Sequence, residues 1–226
     1  MNPPPFEVKF ELEGWRLFWA HLEAQECDPA LLVATAARVV ERVRGELQVE
    51  TLSAHPVIAG LRKLFKAAGC DPTRYRPSSE ALARRLLKGE AMPVISPLVD
   101  LNNCLSTRLL VPCCVMAEGT VQPPYTFRAG RPGENYESLR GPFNLEGKPL
   151  LVDAHGPCDV PITGNTRVKV TPETKRAWLV AYLPAGVVAP EAADAKLREL
   201  VEAAPAAKLL LTAGSSGESA GGLSSP

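Results

Sequence analysis

The sequence predicts an α+β fold in which N-terminal helices pack on a mixed, mainly antiparallel sheet. Two observations carry this. Apart from two opening strands, helical patterns gather between Asp28 and Leu110 and strand patterns between Cys113 and Leu183, so the two kinds do not alternate as parallel βαβ units would. With 226 residues, 46% of them apolar, the chain can also bury a core of real size without splitting. The expectation is one domain over residues 1–211 and a disordered tail over 212–226, where Gly and Ser dominate.

In chain order, Met1 to Pro5 is proline-rich and patternless, and Phe6 to Leu12 alternates apolar and charged residues as a strand with one wet face does. Trp15 to Leu22 is apolar on both alternating sets, which predicts a strand buried on both faces. The close Trp15 and Trp19 also suit a base-stacking platform, but only Arg16 is basic there and the core reading is preferred. Asp28-Pro29 caps a helix running toward Gly45. Pro56 to Ala68 repeats the device, with Ile58, Leu61, Leu64 and Phe65 inward and Arg62, Lys63 and Lys66 outward. Ser79 to Lys88 sets Leu82 and Leu86 against solvent-facing Arg84, Arg85 and Lys88.

Ser96-Pro97 starts a further helix whose apolar face is Leu98, Leu101, Leu105 and Leu109, and Pro112 ends it. Beyond it, Cys113 to Glu118 and Tyr125 to Ala129 read as strands, Gly130 to Gly141 as a hairpin, Leu150 to Asp153 as a buried strand, and Ala154 to Thr166 as a polar loop. Thr171-Pro172 predicts one helical turn, Trp178 to Leu183 the strongest strand, and Ala189-Pro190 a last helix.

Formal charge is zero, yet Arg62 to Lys88 holds eight basic residues against Asp71 and Glu80. Such a stretch fits a polyanion-binding face as well as a solvated helix surface. The six cysteines lack the paired spacing of a disulfide scaffold, and reduced thiols in the cytosol are expected. Cys113, Cys114, His155 and Cys158 come nearest to a zinc set but lack its paired spacing, so no metal is expected. No apolar run approaches the ~18 residues that cross a bilayer, Met1 to Phe10 lacks a signal-peptide pattern, and no membrane partner is expected. Phosphate loops, G-x-S-x-G elbows and H-E-x-x-H helices are absent, and no cofactor is expected.

Short motifs point further. Val99-Asp100-Leu101-Asn102-Asn103 followed by Val111-Pro112 resembles the V-D-x-x-N … Q-P segment of the B3/4 domain, the editing domain of the phenylalanyl-tRNA synthetase β subunit. Phe127 to Gly130 with Leu139 to Gly141, Leu150 to Asp153, and Val170 to Lys175 resemble later segments of that family in the same order. Arg76 to Leu82 resembles the start seen in free-standing members. The resemblance covers about Pro56 to Leu183 and implies a B3/4-like fold and a pocket that hydrolyses mischarged aminoacyl-tRNA.

Carried over residue by residue, the family's Asn falls on Asn103, with Asn102 in place of a Thr. Its His falls on Cys114, the fourth position of its Gly loop on Gly164, and its tyrosine-reading Glu on Val180. An apolar Val180 does not select a phenol by hydrogen bonding, so tyrosine is not the expected amino acid.

The resemblance therefore implies catalytic positions at Asn103, Asn102 and Cys114, and substrate contacts at Gly156, Gly164, His155 and Val180. It also favours RNA as the partner of the basic helices, through Arg62, Lys66, Arg84, Arg85 and Lys88. Cys114, His155 and Asp159 form a conceivable nucleophile, base and orienter, though nothing in the sequence makes them converge. The alternative is water held by the asparagines, with backbone N–H groups near Gly156 and Gly164. The expected function is trans-acting deacylation of aminoacyl-tRNA, with tRNA and not DNA as partner. The competing expectation is a binding module that kept the fold and lost hydrolysis. The amino acid, the tRNA and the oligomeric state stay open.

Overall fold

One two-faced strand organises the molecule. In the computed structural model, which describes residues 7–216, β2 (Trp15–Ala24) lies inside a four-stranded antiparallel sheet between β10 (Arg176–Pro184) and β11 (Ala207–Ser216), with β3 (Cys113–Ala117) beyond β10. Phe18, Ala20 and Leu22 point to one side, where helices α1 (Pro29–Glu46), α4 (Pro97–Leu109) and α5 (Pro190–Ala203) cover them. Trp15, Leu17 and Trp19 point to the other and meet Phe127, Leu151 and Cys158 of a second sheet, together with Leu61 and Phe65 of α2 (Pro56–Ala67). Both tryptophans are sealed from solvent, as the core reading requires and base stacking forbids.

The second sheet runs β1 (Val8–Phe10), β4 (Tyr125–Ala129), β7 (Pro149–Asp153), β8 (Gly156–Val160), β9 (Thr163–Gly164), antiparallel except for the parallel β1–β4 pair. A separate hairpin, β5 (Asn135–Ser138) and β6 (Gly141–Asn144), and helix α3 (Ser78–Leu87) complete the fold, an α+β arrangement of helices, sheet and sheet.

Helix starts follow the proline signals. Pro29, Pro56, Pro97 and Pro190 each take the first position, where the missing N–H has no intrahelical partner to lose. Asp28 caps α1 through Ala30 N at 2.9 Å. Ser96 makes no such side-chain bond at α4. Instead Asp100 reaches back and accepts from Ile95 N at 2.8 Å, which ties down the loop before the helix. At the far end Leu110 is left-handed, with φ 57°, a conformation that costs a side-chain residue about 1–2 kcal/mol. Ser79 Oγ donates to its carbonyl at 2.9 Å and Ser106 Oγ to that of Val111 at 2.7 Å, so two buried hydroxyls hold the reversal that sends the chain into β3.

Three expectations need correction. The polar stretch Ala154 to Thr166 is not loop throughout but contains β8 and β9, because β7 supplies a paired edge and Cys158 and Val160 find apolar cover. Thr171-Pro172 makes a hydrogen-bonded turn, Thr174 N to Thr171 O at 3.0 Å, and no helix. The tail expected from 212 is strand as far as Ser216, where β2 offers a partner edge to a sequence of low strand propensity. The remaining tail and the proline-rich start lie outside the described residues.

Candidate functional site

A cavity of about 380 Å³ opens where α4, β3, β8 and β9 meet. Val99, Val115, Val160, Val168 and Val170 give it an apolar wall, and Asn102, Asn103, Cys114, Asp159 and Asn165 bring polar atoms to it. Helical spacing sets Asn102 one turn after Leu98, beside the leucine face, and Asn103 off that face, and both line the cavity. Asn102 is buried, donates weakly to Cys113 O at 3.4 Å, and leaves Oδ1 without a partner. Asn103 is half-buried and its side chain makes no hydrogen bond among the described residues.

Four of the expected site residues thus share one cavity: Asn102, Asn103, Cys114 and Gly164. Gly164 permits a close approach, since a Cβ there would lie 3.2 Å from the Leu139 Cδ1 at the rim. Three others are elsewhere. His155 is exposed in the β7–β8 turn, held by its own N–H to Asp153 Oδ1 at 2.9 Å, and Gly156 follows it with φ 105°, a turn conformation that favours glycine. Val180 pairs with Cys114 across β10 and β3 and is sealed in the core.

The Cys114, His155 and Asp159 triad therefore does not form at the cavity. Burial pushes the Cys114 thiol well above its ordinary value and the neighbouring Asp159 adds to the shift, so a thiolate nucleophile is disfavoured. Among the described residues no three His, Cys, Asp or Glu gather where they would hold a metal ion.

The residue that sequence reasoning undervalued is Asp159. It is 1% exposed, and Tyr182 Oη donates to its Oδ2 at 2.6 Å, while among the described residues no partner lies within hydrogen-bond distance of Oδ1. Burial pushes its carboxyl up to about 7, against the lowering pull of the Tyr182 hydroxyl and the Cys114 thiol. Its partner lies 23 positions away on another sheet, a pairing no local motif announces.

Outside this cavity lies a second, of about 660 Å³, which shares Ser78, Ile95, Asn103, Cys113 and Thr163 with it. Arg74, Arg76, Arg84, Arg85 and Arg140 line this outer groove, and among the described residues none that lines it is acidic. The expected basic face is thereby redrawn. Arg62 and Arg84 turn inward to Glu80, which has no solvent exposure: Arg62 Nη1 lies 3.1 and 3.0 Å from its two oxygens and Arg84 Nε 2.9 Å from Oε1. Lys66 and Lys88 are exposed but line neither cavity, while Arg85 does, paired at the surface with Glu90 at 2.7 Å.

A sequence model of the B3/4 domain matches residues 60–202, from within α2 to the end of α5. The chain belongs to the B3/4 domain family. The matched region contains every residue that lines the two cavities, which run from Arg74 to Val170. No curated protein matches the sequence. Among solved structures, an N-terminal fragment of the phenylalanyl-tRNA synthetase β-subunit from Pyrococcus horikoshii is similar, with a TM-score of 0.44 and 14% identity over 92% of this chain and 53% of that one. This chain thus spans about half the length of that fragment.

Proposed function

We propose that this B3/4 chain binds the aminoacyl end of a charged tRNA and hydrolyses its ester in trans. The observation that carries the reading is the joining of two unlike cavities at Asn103: an inner apolar pocket large enough for an amino-acid side chain, and an outer groove lined by five arginines. Guanidinium groups suit a phosphate backbone and an apolar pocket suits a side chain, so the ester between them would lie beside Asn103. The motif resemblance to synthetase editing domains supports the same substrate.

The chemistry asked of the protein is small. An aminoacyl ester is already activated, and the adjacent ribose hydroxyl can assist its own hydrolysis. Asn102 and Asn103 would position a water and the ester carbonyl, a contribution of proximity and orientation with no thiolate and no histidine.

A second reading has an observation of its own. Among the described residues no histidine lines the inner pocket, and burial holds its Cys114 thiol protonated, which favours a module that binds an aminoacyl end without cleaving it. One experiment separates the two: a panel of aminoacyl-tRNAs is incubated with the protein, and ester lifetime and filter-bound complex are both followed. A shortened lifetime for at least one charged tRNA supports hydrolysis, and a complex with unchanged or longer lifetime supports the module. Neither effect on any member removes the tRNA reading.

A further inference from the structure

We propose that Tyr75 and Phe143 in the outer groove form a stacking site for an unpaired nucleobase, so that the groove takes a single-stranded RNA end and not a duplex. The inference rests on the proposed aminoacyl-tRNA substrate and adds which part of it the groove recognises.

Both rings line the groove and both are half-buried. They meet edge to face, with centroids 6.0 Å apart and planes at 90°. Lys148, which is 4% exposed, sets its ammonium 4.2 Å from the Tyr75 centroid and 5.4 Å from that of Phe143. Because Lys148 is buried, the ring surface it covers faces the interior and the groove meets the remainder.

The Tyr75 ring is held before any ligand arrives. Asp71 accepts from Thr73 N at 2.8 Å through its side chain and from Tyr75 N at 2.8 Å through its carbonyl, while Arg62 Nη1 donates to Pro72 O at 3.4 Å. The loop is thus tied to itself and to α2, and a ring fixed in this way loses little freedom on stacking.

The charges beside the rings differ from those of the helices. Arg84 and Arg85 pair with Glu80 and Glu90, whereas the guanidinium groups of Arg74, Arg76 and Arg140 have no ion pair among the described residues. Arg74 is exposed and lies over Tyr75, 5.1 Å from its centroid, free to yield the ring to a base and turn to a phosphate. Aromatic faces set among unneutralised cations are what single-strand binders combine, since any base has a face to stack and the bases of a duplex are already stacked on one another. Arg74-Tyr75-Arg76 has the basic interleaving that Trp15 and Trp19 lack. An acidic peptide would use the arginines and leave the rings idle.

The position suits the end of a strand. From Tyr75 to Ser78 the chain spans at most about 11 Å, and Ser78 lines both cavities. A base on Tyr75 therefore belongs to a nucleotide close to the ester, in the part of a charged tRNA that is unpaired.

The test uses uncharged RNA hairpins, one blunt and one with a short single-stranded 3′ overhang carrying 2-aminopurine. The overhang should bind about tenfold or more tighter than the blunt end, and its 2-aminopurine fluorescence should be quenched on binding, as stacking requires. Tyr75→Leu and Phe143→Leu keep apolar volume and remove a stacking face. Each should weaken overhang binding by about fivefold or more with the salt slope unchanged, because no charge has gone. Tyr75→Phe keeps the ring and should recover the binding and quenching that Tyr75→Leu loses. Melting curves verify that the leucine variants fold; if they do not, the overhang preference and the quenching in the parent decide by themselves. Equal binding of the two hairpins, an unquenched 2-aminopurine, or folded leucine variants that bind as the parent does overturns this inference and leaves the tRNA reading to the panel of charged tRNAs. AMP or a polyglutamate peptide binding as tightly as the overhang overturns it too, since the ligand would then be a free nucleotide or an acidic protein. If neither hairpin nor any charged tRNA binds, both readings fall.

Discussion

Tyr182 on β10 donates its hydroxyl to Asp159 Oδ2 on β8 across 2.6 Å, and this bond crosses from one sheet to the other where neither residue meets solvent. It makes the carboxyl part of the packing between layers as well as part of the cavity.

Its titration should therefore be visible in stability. An unfolded Asp titrates near 4, while burial raises this one to about 7 in the folded chain, so between those values the native state holds a proton that the unfolded state has released. The contribution is fully present below about pH 4 and is lost as pH rises through about 7, amounting to at most about 4 kcal/mol. Asp159→Asn cannot ionise and should lack this slope. Melting temperatures of parent and variant, taken from pH 4.5 to 8, should draw apart in pH dependence, the parent losing ground as pH rises. Parallel curves would mean that the carboxyl is not raised.

Glu80 gives the second prediction. It is fully buried with Arg62 and Arg84 as its counter-charges, so Arg84→Glu sets two carboxylates together in the interior and should destabilise by about 3–5 kcal/mol. Arg85 and Arg140 are exposed, and replacing them by Ala should change stability by under about 1 kcal/mol. Under the proposed function those two alanine changes should lower the slope of log affinity for tRNA against log salt by roughly 1.4, whereas Lys66→Ala and Lys88→Ala, away from the groove, should leave it alone. Equal effects from both pairs would move the interface off the arginine groove.

How much of this was legible in the sequence depends on where the determining partner sits. Proline at the start of four helices and the double alternation of Trp15 to Leu22 are local signals, and the structure follows them. Residues 156–164 hide two strands because Gly156, Pro157, Pro161 and Gly164 read as loop, and the pairing that overrides them comes from β7. Arg62 looks like surface on a helical wheel because Glu80, 18 positions later, is what draws it in. The site was half legible for the same reason: Asn102 and Asn103 sit in a motif, whereas Asp159 acquires its meaning only from Tyr182.

β11 tests the same lesson from the other end. Ala213–Ser216 pair with Trp19–Arg16, and a Cβ on Gly214 would come within 2.8 Å of Pro190 Cβ at the start of α5, a rigid ring with little room to give. Gly214→Ala should lower stability by about 1–3 kcal/mol. A chain ending at Thr212 should melt below one ending at Ser216, and equal melting points would show that this last pairing contributes nothing.

Asn103 carries the final prediction, because its side chain is only half-buried and makes no hydrogen bond among the described residues. An Asn in a helix often ties down neighbouring backbone, and Asn102 next to it does so through Cys113 O. Asn103 makes no such bond and lies where the apolar pocket meets the arginine groove. Removing its amide should therefore leave packing intact, and Asn103→Ala should melt within about 1 kcal/mol of the parent in stability, since no partner is orphaned. If it positions the ester or its water, deacylation should fall by about tenfold or more, with binding reduced less than turnover. Cys114→Ala is the companion: a protonated thiol takes no part in attack, so this change should spare turnover relative to Asn103→Ala. The informative quantity is the pair of melting point and rate for each variant. A lower melting point for Asn103→Ala would make the residue structural after all, and a rate lost only in Cys114→Ala would return the chemistry to the thiol.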